Sequence, residues 1–276
     1  MKLQALTREE FAGKRWQRYS SYQFAASQHI SPLVLAELSK AMMALPIALV
    51  PQGQAYVPMA LMGLLPGVNL LVHPDGRWLA GYTPAALRGH PFYMGRTADG
   101  QSVLCVDTDS GLIQDAQSGT DVEAFFGEDG QLSAAVKGVL EFLSGVAAQQ
   151  QATARACAAL QAHGLIQPWA IKLATPQGEK TLDGLFRVDE ARLGQLGGAE
   201  LQELVQTGAM GLAYCQMLSM QHLPTLSRFA DLQAQWRQAA AAVPQPAVSN
   251  LGLPSTPSGE LDLEFLNRGG TLSFGA

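Results

Sequence analysis

The sequence predicts an α+β fold, in which an antiparallel sheet of short hairpins, about residues 46–107, packs with a C-terminal helical region containing a second hairpin. Three observations lead there. Short apolar runs separated by Gly, Pro and Asp-Gly turns fill residues 46–107, the pattern of antiparallel strands joined tightly. Beyond about residue 132 the apolar residues recur at three and four, the period of one helix face. The two patterns occupy successive regions, which favours segregated strands and helices over a doubly wound sheet.

The elements follow in order. In "ISPLVLAELSKAMMAL" Leu35, Leu38, Met42 and Leu45 share one helical face. Ser31 suits the N-cap with Pro32 in the first turn, and Pro46 stops the helix. Strands then read as "PIALV", "AYVPMALMGL", "VNLLV", "RWLAGY", "PFYMGR" and "SVLCVD", an antiparallel meander with a short helix at "TPAALRG" over one corner. The turns His73-Pro-Asp-Gly76 and Thr97-Ala-Asp-Gly100 end in Asp-Gly, where glycine accepts positive φ. Val136, Val139, Leu140, Leu143 and Val146 open a helix that runs from about Ser133 through Cys157 and Leu160 to a stop at Gly164. At 1.5 Å per residue it is about 45 Å long, more than one small core covers. "WAIKLATPQGEKTLDGLFRVD" reads as the second hairpin, turning at Pro176-Gln-Gly178. "GAELQELVQTGAMGLAYCQMLSM" and "TLSRFADLQAQWRQAAAA" are helices with breaks at Gly208 and Pro224. Residues 1–242 therefore read as one α+β domain, β-rich to about residue 130 and helical after it. Residues 243–276 read as a Pro-rich linker and a docking tail, "ELDLEFLNRGGTLSF".

Composition narrows the class. The chain has 276 residues, 47% of them hydrophobic and 15% charged, enough for a sizeable interior. Lys+Arg 18 against Asp+Glu 23 gives a net charge of −5, and without a basic stripe nucleic acid is not an expected partner. Lys/Arg clusters of the kind that bind anionic membranes are not seen either. Cys105, Cys157 and Cys215 are odd in number and widely spaced, which points to free thiols in a reducing compartment. The opening "MKLQALTREEFAGKRWQRYS" has no apolar run for a signal peptide. Prolines at 46, 51, 58 and 66 break the most apolar zone, so no membrane span is expected. The expected location is the cytoplasm.

Catalytic signatures of phosphate-binding loops, dinucleotide sites, nucleophile elbows and zinc helices are absent. His29, His73, His90, His163 and His222 stand singly, the usual pattern of surface or cap residues rather than metal ligands. His163, beside Gly164, suits a helix C-terminus. "DTDSG", Asp107 to Gly111, reads as a capped turn, because the twelfth position of a calcium loop is Ser118 here rather than Glu. Cys105 alternates within a strand and reads as a buried structural thiol. No metal, no cofactor and no assigned catalytic residue follow.

The densest chemistry lies in "NLLVHPDGRWLAGYTPAALRGHPF". Asp75 and Gly76 make the turn, Trp78 and Tyr82 share one face, Arg77 takes the opposite face and Arg88 follows on the short helix. Two arginines near aromatics can hold a carboxylate or phosphate. They can equally stack on rings and pair with the chain's own acids, Asp75 or Asp107, and this architectural reading comes first. The candidate ligand-binding set is Asp75, Arg77, Trp78, Tyr82, Arg88, Asp107 and Asp109.

A series of blocks carries a family resemblance: "YQFA", "SPLVLAEL", "LPIAL", "NLLVHPDGRWLAGYTPAALR", "VLCVDTDSGLI", "FFGEDG", "GLFRVDEARLGQL" and "LAYCQMLSMQHL". In this order, over about residues 20–235, the chain closely resembles the SapC family of bacterial proteins, named from a surface-layer locus. The resemblance implies association with surface-layer loci, or with loci encoding outer-membrane receptors and flavin-dependent halogenase-like proteins. A peptide-transporter permease of the same name is a different protein, since it spans the membrane. The resemblance carries over no catalytic residues.

Three readings follow. The first is a non-catalytic cytoplasmic accessory or ligand-binding protein of a surface-layer or outer-membrane uptake system, with an unknown protein or small-molecule partner. The second is an enzyme on a small acidic or peptidic substrate, anchored by Arg77 and Arg88 with Asp107 or Asp109 as acid/base. A structural surface-layer component is the weakest, for want of a targeting signal or repeats. Convergence of Arg77, Arg88, Asp107 and Asp109 in one pocket separates the first two. A homodimer is also expected, through the long helix or the tail. The competing arrangement has the helices after Ala199 wrap the whole stripe within one chain.

Overall fold

A computed structural model describes residues 1–115, 122–175 and 178–242. Ser118, the turn residues 176–177 and the tail from Val243 lie outside the described residues. The chain divides into a body, Met1–Gln233, and a unit beginning at Ala234.

The chain opens with β1 (Leu3–Ala5), α1 (Arg8–Phe11), β2 (Lys14–Trp16) and β3 (Ile30–Pro32), then a 3-10 turn at Leu35–Glu37 leads into α2 (Leu38–Ala41). Next come β4 (Ile47–Gln52), β5 (Ala55–Leu61), α3 (Ala85–Arg88), β6 (Phe92–Arg96), β7 (Ser102–Asp107), β8 (Ile113–Asp115) and β9 (Glu123–Ala124). The long helix α4 (Ala134–Ala162) precedes β10 (Ile166–Pro168), β11 (Ile171–Thr175), β12 (Gly178–Leu182) and β13 (Phe186–Val188). The helices α5 (Glu190–Leu193), α6 (Gly198–Thr207), α7 (Ala209–Ser219) and α8 (Leu223–Ala242) complete the order. The α+β class stands, with every strand pair antiparallel.

The strands of residues 46–107 do not form one meander. β4 and β5 lie inside a five-stranded sheet ordered β10-β13-β4-β5-β3, whereas β6 and β7 join β1 in a separate three-stranded sheet. β5 has β4 on one side and β3 on the other, so the segment after it has no edge to extend. "VNLLV" and "RWLAGY" accordingly pair only through an isolated bridge, Val72 to Trp78. Ser31 and Pro32 are not a helix cap. They belong to β3, opposite Ala60 and Met59, on the sheet edge where a proline removes no needed ladder donor. Both Asp-Gly turns form, with Gly76 at φ +89 and Gly100 at φ +83.

Two apolar cores result. The larger lies under the five-stranded sheet and gathers Leu45, Ile47, Leu49 and Leu61 with Leu160 and Leu212. The smaller is aromatic: Phe11, Trp16, Phe92 and Phe125 meet Val136 and Leu143, with Trp16 edge-on to Phe92 at 4.7 Å. α4 serves both, its first half closing the small core and its second half, through Ala156, Cys157 and Leu160, entering the large one. Ser133 caps its start by accepting from the Val136 N–H, and Gly164 at φ +63 follows its end. Between Leu143 and Thr153 no α4 residue is buried. That exposed middle is where the candidate site lies.

Candidate functional site

The site starts from a buried acid. Glu37 ends the 3-10 turn, 5% exposed. Its carboxylate accepts from the Val34 N–H at 3.1 Å, the Ala85 N–H at 2.8 Å and the Tyr82 hydroxyl at 2.8 Å. A buried charge needs such donors, and here they pin the 3-10 turn to the start of α3. Burial, and then the bond to Glu37, push the Tyr82 hydroxyl well above its ordinary range. The Arg88 Nη2 donates to the Tyr82 Oη at 3.3 Å. The Arg88 guanidinium lies over the Phe142 ring at 5.0 Å and the Tyr82 ring at 5.8 Å.

Two hollows adjoin this chain of contacts, and Val34, Glu37 and Val146 line both. The first, about 410 Å³, lies between β5 and α4 and is walled mainly by Pro32, Val57, Pro58, Ala86 and Val146, with Gln150 and Tyr56 as polar edges. The second, about 360 Å³, lies between α2, α3 and α4 and is lined by Lys40, Tyr82, Arg88, Glu141, Phe142 and Gly145. Along α4 the residues lining the two hollows run from Glu141 to Ala154, about 20 Å of helix, and the pair is termed the groove. Hollows of this size with apolar walls and few polar groups are the usual form of small-molecule sites. A third hollow, about 390 Å³, flanks the other side of Arg88 and includes Arg18 and Gly138.

Of the residues singled out in the sequence, the structure brings Tyr82 and Arg88 together at this groove. Asp75 and Arg77 pair at the tip of the hairpin, Nε to Oδ2 at 2.7 Å, with Arg77 72% exposed. The backbone N–H of Arg77, helped by its side chain and by His73, draws the Asp75 carboxyl down to about 2. Trp78 is half-buried, its Nε1 donating to the Tyr82 carbonyl at 3.0 Å and its ring 5.2 Å from Tyr22. Asp107 is buried and accepts from the Lys2 and Asp109 N–H groups, at 2.9 and 3.2 Å. Asp109 meets the terminal amine at 3.5 Å. Among the described residues no hydrogen bond or ion pair joins the Arg88 guanidinium, the Asp75–Arg77 pair and the acids Asp107 and Asp109.

Other expectations resolve locally. The His163 Nε2 lies 3.1 Å from Glu203 Oε2 at the end of α4. His90 is not a surface residue: it is buried and stacked on Phe24 at 3.8 Å, and burial lowers its pKa. Cys105 is buried, and burial pushes the Cys157 thiol up to about 12. Among the described residues no cluster of three or more His, Cys, Asp or Glu could hold a metal ion, and no helix is long and apolar enough to cross a membrane. Sequence reasoning missed Glu37, because Val34 at the N-cap gives no capping-box signature and the acid's partners Tyr82 and Ala85 lie far along the chain.

Neither the curated proteins nor the solved structures contain a match to the chain. The SapC family model matches residues 6–226. This begins nearer the N-terminus than the resemblance over 20–235, and residues 6–20 include Phe11 and Trp16 of the small core. With most of its length matched, the chain belongs to the SapC family.

Proposed function

We propose that this chain is a non-catalytic accessory protein that binds a small molecule in the groove between β5 and α4, in the cytoplasm, on behalf of a surface-layer or outer-membrane uptake system. The observation that carries the proposal is the groove itself: about 410 Å³ of mainly apolar space, open where α4 leaves both cores. SapC membership supports the setting through the loci with which that family is associated. The chemistry at the groove supports binding over catalysis, because the acid between its two hollows, Glu37, has its carboxylate engaged by three donors.

A neutral apolar dye, Nile red, tests the groove. Its emission is expected to rise on titration with the protein, with about one site per chain. Ala154 is exposed on the groove wall, so Ala154→Trp fills the hollow without entering a core. The dye response should then fall at least about tenfold, the effect of losing roughly 1.4 kcal/mol of binding, with circular dichroism unchanged. Dye binding that ignores this substitution would place the site elsewhere. Cell fractionation checks the compartment.

A further inference from the structure

The groove has two unlike ends, and their difference specifies a ligand. We infer that it takes an amphipathic carboxylate, an unbranched acyl chain lying along α4 with its anionic head at Arg88; the inference rests on the groove being a binding site. The first hollow supplies the apolar end, through Pro32, Val57, Pro58, Ala86 and Val146. The second supplies cations, Arg88 and Lys40. Neither forms an ion pair with a carboxylate among the described residues. Arg88 donates one hydrogen bond, to Tyr82, and a guanidinium has five N–H donors in a fork that fits a carboxylate. Its position over Phe142 and Tyr82 holds that fork on a rigid support.

The acids at this end do not cancel the preference. Glu37 is buried and its oxygens are taken by Val34, Tyr82 and Ala85, so it offers no free lone-pair face to a cationic ligand comparable with an exposed carboxylate. Glu141 is exposed on the rim and opposes an anion there. The floor is also built open. A Cβ placed on Gly145, beside the Arg88 head site, meets no atom within 4 Å. The two adjoining hollows follow α4 from Glu141 to Ala154, about 20 Å, which suits an unbranched chain better than a compact ring system.

The test uses the full chain and four ten-carbon probes: decanoate, N-decanoylglycine, decanol and decylamine, titrated in displacement of Nile red. Decanoate or N-decanoylglycine should bind at least about tenfold tighter than decanol, since a hydrogen bond to a charged group contributes about 1.5–3 kcal/mol. Decylamine should bind weakest. Whichever of the two carboxylates is tighter identifies a free fatty acid or an acylated amino acid as the source. Arg88→Gln should bring the carboxylates level with decanol, and Arg88→Lys should restore part of the gap. Glu141→Gln should tighten the carboxylates only. Decanol or decylamine binding as tightly as decanoate, in a manner still blocked by Ala154→Trp, overturns the carboxylate and leaves the groove standing. Binding of all four that Ala154→Trp does not weaken overturns the groove as well.

Discussion

Trp78 and Arg77 are neighbours in sequence and opposites in environment. The indole packs on the large core, touches Tyr22 and donates to the Tyr82 carbonyl. The guanidinium is 72% exposed and bonded to Asp75. Trp78→Ala should therefore lower stability by about 3 kcal/mol, the low end for a truncated aromatic because the ring is half-buried. Arg77→Ala should cost about 0–1 kcal/mol, as exposed pairs do. Urea denaturation of both variants checks this, and equal losses would refute the assignment of the two faces. This division was legible in the sequence, since adjacent side chains beside an Asp-Gly turn point to opposite sides. Glu37 was not legible. Its partners Tyr82 and Ala85 are 45 and 48 residues away, and no local pattern announces a bond of that span.

Among the elements, α4 shows what periodicity reads well. Ser133 at one end and Gly164 at the other are local signals, and both ends of the helix fall where they predict. The strands were harder. β13 pairs with β4 and β1 with β7, partnerships set by long-range packing that short apolar runs do not encode. β3 shows a related failure, because "SP" before an apolar run suits a helix start and an edge strand equally. The glycines of α4 give a test at this scale. Gly138 and Gly145 have open space at the Cβ position, so Gly145→Ala should stabilise the protein by about 0.5–1 kcal/mol. A loss of stability in chemical denaturation would mean that the groove floor is tighter than described.

At the scale of the molecule, the apolar stripe of α4 meets β5 and β6 as well as the later helices α6 and α7, while its middle, between Leu143 and Thr153, stays unburied. The two routes expected for a homodimer, the long helix and the tail, are therefore separated by experiment, the tail lying outside the described residues. A chain ending at Ala242 is expected to keep a constant monomer mass in light scattering across a concentration series, whereas the full chain, 29.4 kDa, doubles its mass if the tail makes the contact. A truncated chain that still doubles would place the contact on the body. The α+β class and the family were visible in the sequence because they rest on many short blocks in series. The groove was not visible, since it forms where three elements distant in sequence leave a gap.

The two cores have a further consequence through the order in which the chain visits them. Residues 6–16 enter the small core, 22–87 the large, 92–143 the small again and 156–230 the large again. The cores are interleaved rather than successive: a cut within residues 17–91 divides the small core, and a cut within 88–155 divides the large one. A fragment ending between residues 144 and 155 carries every residue of the small core but lacks residues 156–230, which complete the large one. The large core therefore forms only where both of its chain segments are present. The family match, residues 6–226, spans every buried residue of both cores.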